Sequence, residues 1–379
     1  MEKPFYYIKS ILISGFLLFT QTYATETRCT KDFLVLDVGS STTKGTLYTK
    51  DICNKNKIID RKTFNLNYQY QTCISDADGK NIPEKCIIGG REVMQNIARY
   101  FSIKCHNNCF AAVTGWARYI NNQEEWLNEI KKIGIKAKIV SQDYEGGLKL
   151  SAIKKVYDNK PIIAFDIGGG SFQLVWQDEN GKIQHYNSLH GTDNFTHEIQ
   201  DTLFSERSRG CIKARNNLHL LSNSNASLNE VKIAQEMAKQ ACSEQCAITF
   251  NANDLQNAIN YTDEKIGKLI LANTRLQEFV KKYKPTVYAD TLLFNLGIRK
   301  QLGVNRNTVT IDDIYKIMTS VSGMHYVQIK SKYPDLPDIC VNTTQPAMLI
   351  LYTIMKSLSI NEIVSIQTDY MEAFLEENL

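Results

Sequence analysis

Two aspartates 129 positions apart, Asp37 and Asp166, each end an apolar run and open a loop of small residues. The first stretch reads Phe33-Leu-Val-Leu-Asp37-Val-Gly39-Ser40-Ser41-Thr42-Thr43-Lys44, and the second reads Ile162-Ile-Ala-Phe-Asp166-Ile-Gly168-Gly169-Gly170-Ser171-Phe172-Gln173. Glycines let backbone amides converge on an anion, and the hydroxyls of Ser40, Ser41, Thr42 and Ser171 add donors. A carboxylate at the end of each run would repel phosphate directly, so its expected role is to hold a divalent cation that phosphate also touches. One such turn alone is an ordinary hairpin. Two, behind matched apolar runs, point to duplicated halves whose loops clamp a phosphoryl group from both sides.

Between the loops lie two further polar clusters. Ala111-Ala-Val-Thr114-Gly115-Trp116-Ala117-Arg118 reads as a strand ending in a hydroxyl, with an arginine whose planar fork suits phosphate. Ser141-Gln-Asp-Tyr144-Glu145-Gly146 follows the strand-like Ala137–Val140 and opens a helix, which places Glu145 in a first turn. A first-turn carboxylate needs no chemistry, because it complements the helix dipole. There is no serine–histidine–acid or cysteine nucleophile pattern, and the six histidines are scattered, so direct attack by water is the expected route.

The elements that must carry these groups alternate. Strands are expected after each loop (Gly45–Tyr48 and Leu174–Trp176), over Ile58–Asn67, around Ile87-Ile88, at Thr286–Ala289 and at Ile363–Ile366. Helical spacing marks Ser141–Val156, a long zone from Leu228 to Tyr283 interrupted near Asn251–Asn253, Leu292–Leu302, a helix from Ile311 with a capping signal at Thr310, and Tyr370–Glu377. His185–Asn194 reads as a loop, and the Asn/Ser-rich Asn216–Ser227 as a mobile one. The alternation argues for an α/β protein, and about 355 residues beyond the first 24 call for two domains.

Those first 24 residues read as a secretory signal, with Lys3 and Lys9, a short apolar core from Ile11 to Phe19, and small residues before Ala24. The expected location is therefore periplasmic or secreted, with no stable membrane association after cleavage. All ten cysteines lie beyond that point, which fits disulfides in an exported chain. Cys105–Cys109 and Cys242–Cys246 could each close a small local loop. The net charge of +4 gives no basic stripe for nucleic acid.

Taken together, D-V-G-S-S-T-T-K, T-G-W-A-R, S-Q-D-Y-E-G and D-I-G-G-G-S-F-Q resemble the exopolyphosphatase/guanosine-pentaphosphate phosphatase (Ppx/GppA) family. They resemble the apyrases almost as closely; both belong to the actin-like phosphotransferase superfamily. The likeness runs from about Lys31 to Leu379 and is loosest over Asn216–Tyr283. It implies two actin-like (ribonuclease H-like) domains, each a mixed sheet with flanking helices, with the active site in the cleft between them. Residues 25–158 would form the first domain. Residues 159–368 would form the second, with a helical insertion at about 228–283, and the C-terminal helix at about 369–379 would pack back on the first.

The resemblance implies roles as well. Glu145 would be the general base on water, with Gln173 positioning that water. Asp37 and Asp166 would organise Mg²⁺ or another divalent cation. Gly39, Ser40, Ser41, Thr42, Lys44, Gly168, Gly169, Gly170 and Ser171 would cradle phosphate, with Thr114 and Arg118 beside them. The implied substrate is inorganic polyphosphate or a nucleoside polyphosphate. Gln173 stands where exopolyphosphatases usually carry an acid and apyrases a glutamine, so an apyrase-like nucleotidase is the alternative. The family's usual arginine-glutamate-glycine near the end is replaced by Tyr370-Met371-Glu372-Ala373. The first loop is also similar to that of dehydratase-activating ATPases, which leaves a non-hydrolytic nucleotide-binding module as a further reading.

Overall fold

The computed structural model describes residues 29–379 apart from 41, 55–56, 69, 74–80, 158–159, 205–208, 223, 225, 246–251, 290–298, 300–302, 305–306, 325, 337 and 367. The expected signal segment, Ser41, Cys246 of the expected Cys242–Cys246 loop and nearly all of the helix expected over Leu292–Leu302 lie outside the described residues.

Two mixed sheets form the frame. The first holds β1 (Thr30–Val38), β2 (Thr42–Asp51), β3 (Lys57–Asn67), β4 (Cys109–Val113) and β5 (Lys136–Ile139) in the order β3-β2-β1-β4-β5. The second holds β6 (Ile162–Ile167), β7 (Phe172–Gln177), β8 (Ile183–Ser188), β9 (Thr286–Ala289), β10 (Thr308–Thr310) and β11 (Glu362–Ser365) in the order β10-β11-β9-β6-β7-β8. In each, the strand that ends in the aspartate pairs antiparallel with the strand after its turn and parallel with a later one. The run β8-β7-β6-β9-β11 thus repeats β3-β2-β1-β4-β5, and the duplication read in the loops extends to the sheets.

Both faces of the central strands are covered, which is why their sequences are unbroken apolar runs rather than alternating ones. Leu34, Leu36 and Val38 of β1 point into a core shared with the helix Glu84–Tyr100, whereas Phe33 and Val35 meet Leu148, Tyr370, Phe374 and Leu375. Ile163, Phe165 and Ile167 of β6 enter the largest core, and Ile162 and Ala164 pack on Leu150 and Ile153. The helix Gln142–Val156 therefore lies between the two sheets, giving Leu148 to one and Leu150 and Ile153 to the other. The last helix, Tyr370–Asn378, packs beside it and against β1.

Four local expectations change. Ile87 lies in the helix Glu84–Tyr100, where Cys86, Ile87, Gly90, Met94 and Ile97 recur at helical spacing on the buried side. Most of Asn216–Ser227 is helix Arg209–Ser222; its asparagines mask the buried Leu218. His185–Asn194 contains the end of β8 and the start of helix Thr192–Leu203. The helical stretch from 228 to 283 divides: Val231, Ala234 and Ala238 join the first sheet's core, while Leu255, Ile259, Ile270 and Leu276 join the second's. Disulfides link Cys29–Cys53, Cys73–Cys86 and Cys105–Cys109, the last being one of the two local loops that the spacing allowed. No helix of the described residues is long and apolar enough to cross a membrane.

Candidate active site

The two loops are the same turn. The Gly39 amide donates to the Thr42 carbonyl at 3.0 Å, and the Gly168 amide donates to the Ser171 carbonyl at 2.9 Å. Across the strand pairs that follow, Asp37 stands opposite Lys44 and Asp166 opposite Gln173. Thr114, at the end of β4, is tied to the first loop through its amide and the Val38 carbonyl, 3.1 Å apart.

The turns meet. Ser40 is buried, and a Cβ on either Gly115 or Gly170 would come within 2.8 Å of its hydroxyl oxygen. Gly115 also has φ of +52°, a left-handed conformation that side chains disfavour. The first loop, the end of β4 and the second loop thus close around one serine, and the absence of side chains at 115 and 170 permits it. Thr42, by contrast, donates its hydroxyl to Asn67 at 3.4 Å.

A fourth segment braces the second loop. The amides of Thr192 and Asp193 donate to the carbonyls of Gly168 and Gly169, each at 2.9 Å, and Asn194 Nδ2 donates to the Gly170 carbonyl at 2.9 Å. Gly191 sits so close that a Cβ there would lie 2.2 Å from the Ser171 nitrogen. Sequence reasoning missed this support. Gly191-Thr-Asp-Asn194 ahead of an amphipathic run was the available signal.

The helix Gln142–Val156 delivers the carboxylate. Ser141 caps it, accepting from the Tyr144 amide at 3.1 Å, and Gly146 lets it approach β7, where a Cβ would fall 2.4 Å from a Val175 methyl. Glu145 is buried and accepts a hydrogen bond from Arg118, whose Nε is fixed by the Val140 carbonyl at 2.7 Å. Arg118 Nη1 is buried without a hydrogen-bond partner, a donor that an anion would satisfy. Burial, followed by the charge of Asp166, pushes the Glu145 carboxyl up to about 7 against the pull of Arg118 and Lys149.

Two residues in the site escaped the sequence reading. Lys149, four positions beyond Glu145 and on the same helix face, donates from Nζ to Asp166 Oδ1. Its ammonium lies 4.5 Å from the centre of the Tyr370 ring, and the Tyr370 hydroxyl donates to Asp37 Oδ2. Loss of water raises the Asp37 carboxyl above its ordinary value, although Tyr370, Lys149 and Lys44 all oppose the rise. The spacing from Glu145 was the signal for Lys149. Tyr370 stands in the segment that departs from the expected arginine-glutamate-glycine.

The oxygen donors suit a hard cation. Asp37 and Asp166 supply carboxylates, and Gln173, whose Nε2 donates to Ser171 Oγ at 3.2 Å, leaves its buried Oε1 without a partner. Among the described residues no group of three His, Cys, Asp or Glu side chains is placed to hold a metal. A cation here would therefore draw on the amide oxygen, water or phosphate as well as the two aspartates. Ser41 lies outside the described residues.

The model of the Ppx/GppA phosphatase family matches residues 61–284. No curated protein matches the chain. Among solved structures, the chain is similar to a Ppx/GppA family member from Aquifex aeolicus, at 13% identity and a TM-score of 0.58 over 92% of this chain and 97% of that one. It is also similar to an exopolyphosphatase from Cytophaga hutchinsonii, at 13% identity and a TM-score of 0.59 over 92% of this chain and 98% of that one. At that identity the likeness establishes the fold, the two actin-like mixed sheets expected from the motifs.

Proposed function

Because the chain belongs to the Ppx/GppA phosphatase family, we propose that it hydrolyses phosphoanhydride bonds, releasing terminal phosphate from inorganic polyphosphate or guanosine pentaphosphate. The observation that carries this reading is the closure of both aspartate-ended turns on Ser40, with Glu145 held between the sheets. Phosphoryl transfer to water asks for neutralised equatorial oxygens, a placed nucleophile and an in-line leaving group. Loop amides and the hydroxyls of Ser40 and Ser171 would receive the terminal phosphate, and the free Nη1 of Arg118 would complete the set.

Glu145 would take a proton from water as the water oxygen bonds to phosphorus and the bridging P–O bond breaks, so that the shortened chain leaves as an anion. Gln173, through its partnerless Oε1, would orient that water or the cation. Asp37 and Asp166 would hold a divalent cation, Mg²⁺ or another, whose chemistry is to neutralise the phosphoryl oxygens. The reading extends to a periplasmic or secreted location, supported by the signal-like first 24 residues and by disulfides, which persist in oxidising compartments.

Gln173 opposite Asp166 favours a second reading, an apyrase-like nucleoside tri- and diphosphatase. A panel of medium-chain polyphosphate, guanosine pentaphosphate, ATP and ADP, read as phosphate release by the purified protein, separates the two. Release from polyphosphate or guanosine pentaphosphate in preference to ATP and ADP supports the first. Tight nucleotide binding without release from any of the four would sink both and leave a binding module.

A further inference from the structure

The catalytic helix brings a cation of its own. Glu145 and Lys149 lie four residues apart on one face of Gln142–Val156, both buried, and Lys149 is bound to Asp166 rather than reaching solvent. From there the contacts continue: Lys149 over the Tyr370 ring, and the Tyr370 hydroxyl on Asp37. An unbroken chain, Asp166–Lys149–Tyr370–Asp37, links the two carboxylates that duplicated aspartate turns would offer to a metal. The flanking Leu148, Leu150 and Ile153 pack against both sheets and fix the helix that carries it.

An ammonium buried this way is held by its carboxylate partner, and removing either leaves an unpaired charge out of water. A divalent cation arriving at Asp166 would meet a positive charge already on its ligand, in a setting where like charges repel far more strongly than in water. Lysine is suited to yielding, because its charge sits at the end of a flexible four-carbon stem with three donors and can swing to a phosphate oxygen.

We propose that Lys149 is a resident counter-ion of the cleft that competes with divalent metal for Asp166, so that the free protein binds metal weakly and metal enters as Lys149 is displaced. This rests on the phosphohydrolase reading for its meaning. Its test does not, because metal binding is measured without turnover.

The test is calorimetric titration of Mg²⁺ and of Mn²⁺ into the purified protein, unaltered and as the Lys149→Met and Lys149→Arg variants. Thermal melting serves as the control for folding. Lys149→Met should bind either metal about tenfold or more tightly than the unaltered protein, in the range by which neighbours of metal ligands tune affinity, while Lys149→Arg should stay weak. Equal or weaker binding by a folded Lys149→Met overturns the proposal.

Should that variant fail to fold, the unaltered protein supplies a second measurement, acetylation of Lys149 read by peptide mass spectrometry. Saturating Mg²⁺ should raise it several-fold as the ammonium is displaced. Protection unchanged by Mg²⁺ overturns the proposal. A protein that releases no phosphate yet shows these shifts upholds the counter-ion and fails the hydrolase reading. One that hydrolyses normally with metal affinity unmoved in Lys149→Met does the reverse.

Discussion

The pH dependence of turnover should follow Glu145. Its carboxyl is pushed up to about 7, first by burial and then by Asp166 and Asp37, with Arg118 and Lys149 pulling the other way. A general base works only as the carboxylate. With a value of about 7, roughly one molecule in eleven carries the carboxylate at about pH 6 and roughly ten in eleven at about pH 8. The ratio kcat/KM for phosphate release should therefore rise about tenfold between those two pH values, measured as initial rates at constant ionic strength. Glu145→Gln should remove that rise and lower the rate by about 10²- to 10⁴-fold, the usual worth of a positioned base.

Stability runs with the opposite sign. The folded value lies above the ordinary 4.5, so the neutral form is favoured by folding, and this contribution is lost as pH rises through about 7. Glu145→Gln, always neutral, should resist unfolding at least as well as the unaltered protein at high pH, with a gain on the order of 3 kcal/mol at most. A flat profile in the unaltered protein, or a tenfold rise that survives in Glu145→Gln, would refute the assignment of the base.

Three further outcomes are expected. Excess chelator should stop phosphate release and added Mg²⁺ should restore it; undiminished turnover in chelator would exclude a cation at Asp37 and Asp166. Gly170→Ala places a methyl group 2.8 Å from Ser40 Oγ and should lower kcat/KM by about tenfold or more, with overpacking costing about 1–3 kcal/mol of stability by denaturant titration; unchanged kinetics would mean that the loops need not close on Ser40. Replacing Cys29 and Cys53 with serine should lower unfolding stability by about 2–4 kcal/mol in the same titration, since the link joins the start of β1 to the end of β2; an unaltered midpoint would contradict it.

What was legible in the sequence was local and repeated. The two aspartate turns, the strands that follow them and the first-turn position of Glu145 follow from residue order, because each is set by neighbours along the chain. The helix at Ile87 was hidden because two adjacent isoleucines cannot distinguish a strand from the buried side of a helix, and only Met94 and Ile97 beyond them reveal the period. Lys149 and Tyr370 were hidden for a different reason. They lie 17 and 333 positions from the aspartates they hold, and only the packing of the helix Gln142–Val156 between the sheets, and of Tyr370–Asn378 beside it, brings them in. Arg118 was legible as a candidate phosphate ligand by type, but its bond to Glu145 was not, since nothing in the spacing of 118 and 145 foretells that the Val140 carbonyl after β5 seats the guanidinium.

The most direct measurement is a single turnover of terminally labelled polyphosphate in oxygen-18 water, by the unaltered protein and by Glu145→Ala matched for folding. Direct attack predicts that each phosphate released by the unaltered protein carries one solvent oxygen, and that Glu145→Ala releases none over the same interval. Release by Glu145→Ala at the unaltered rate, or phosphate formed without solvent oxygen, would contradict the account.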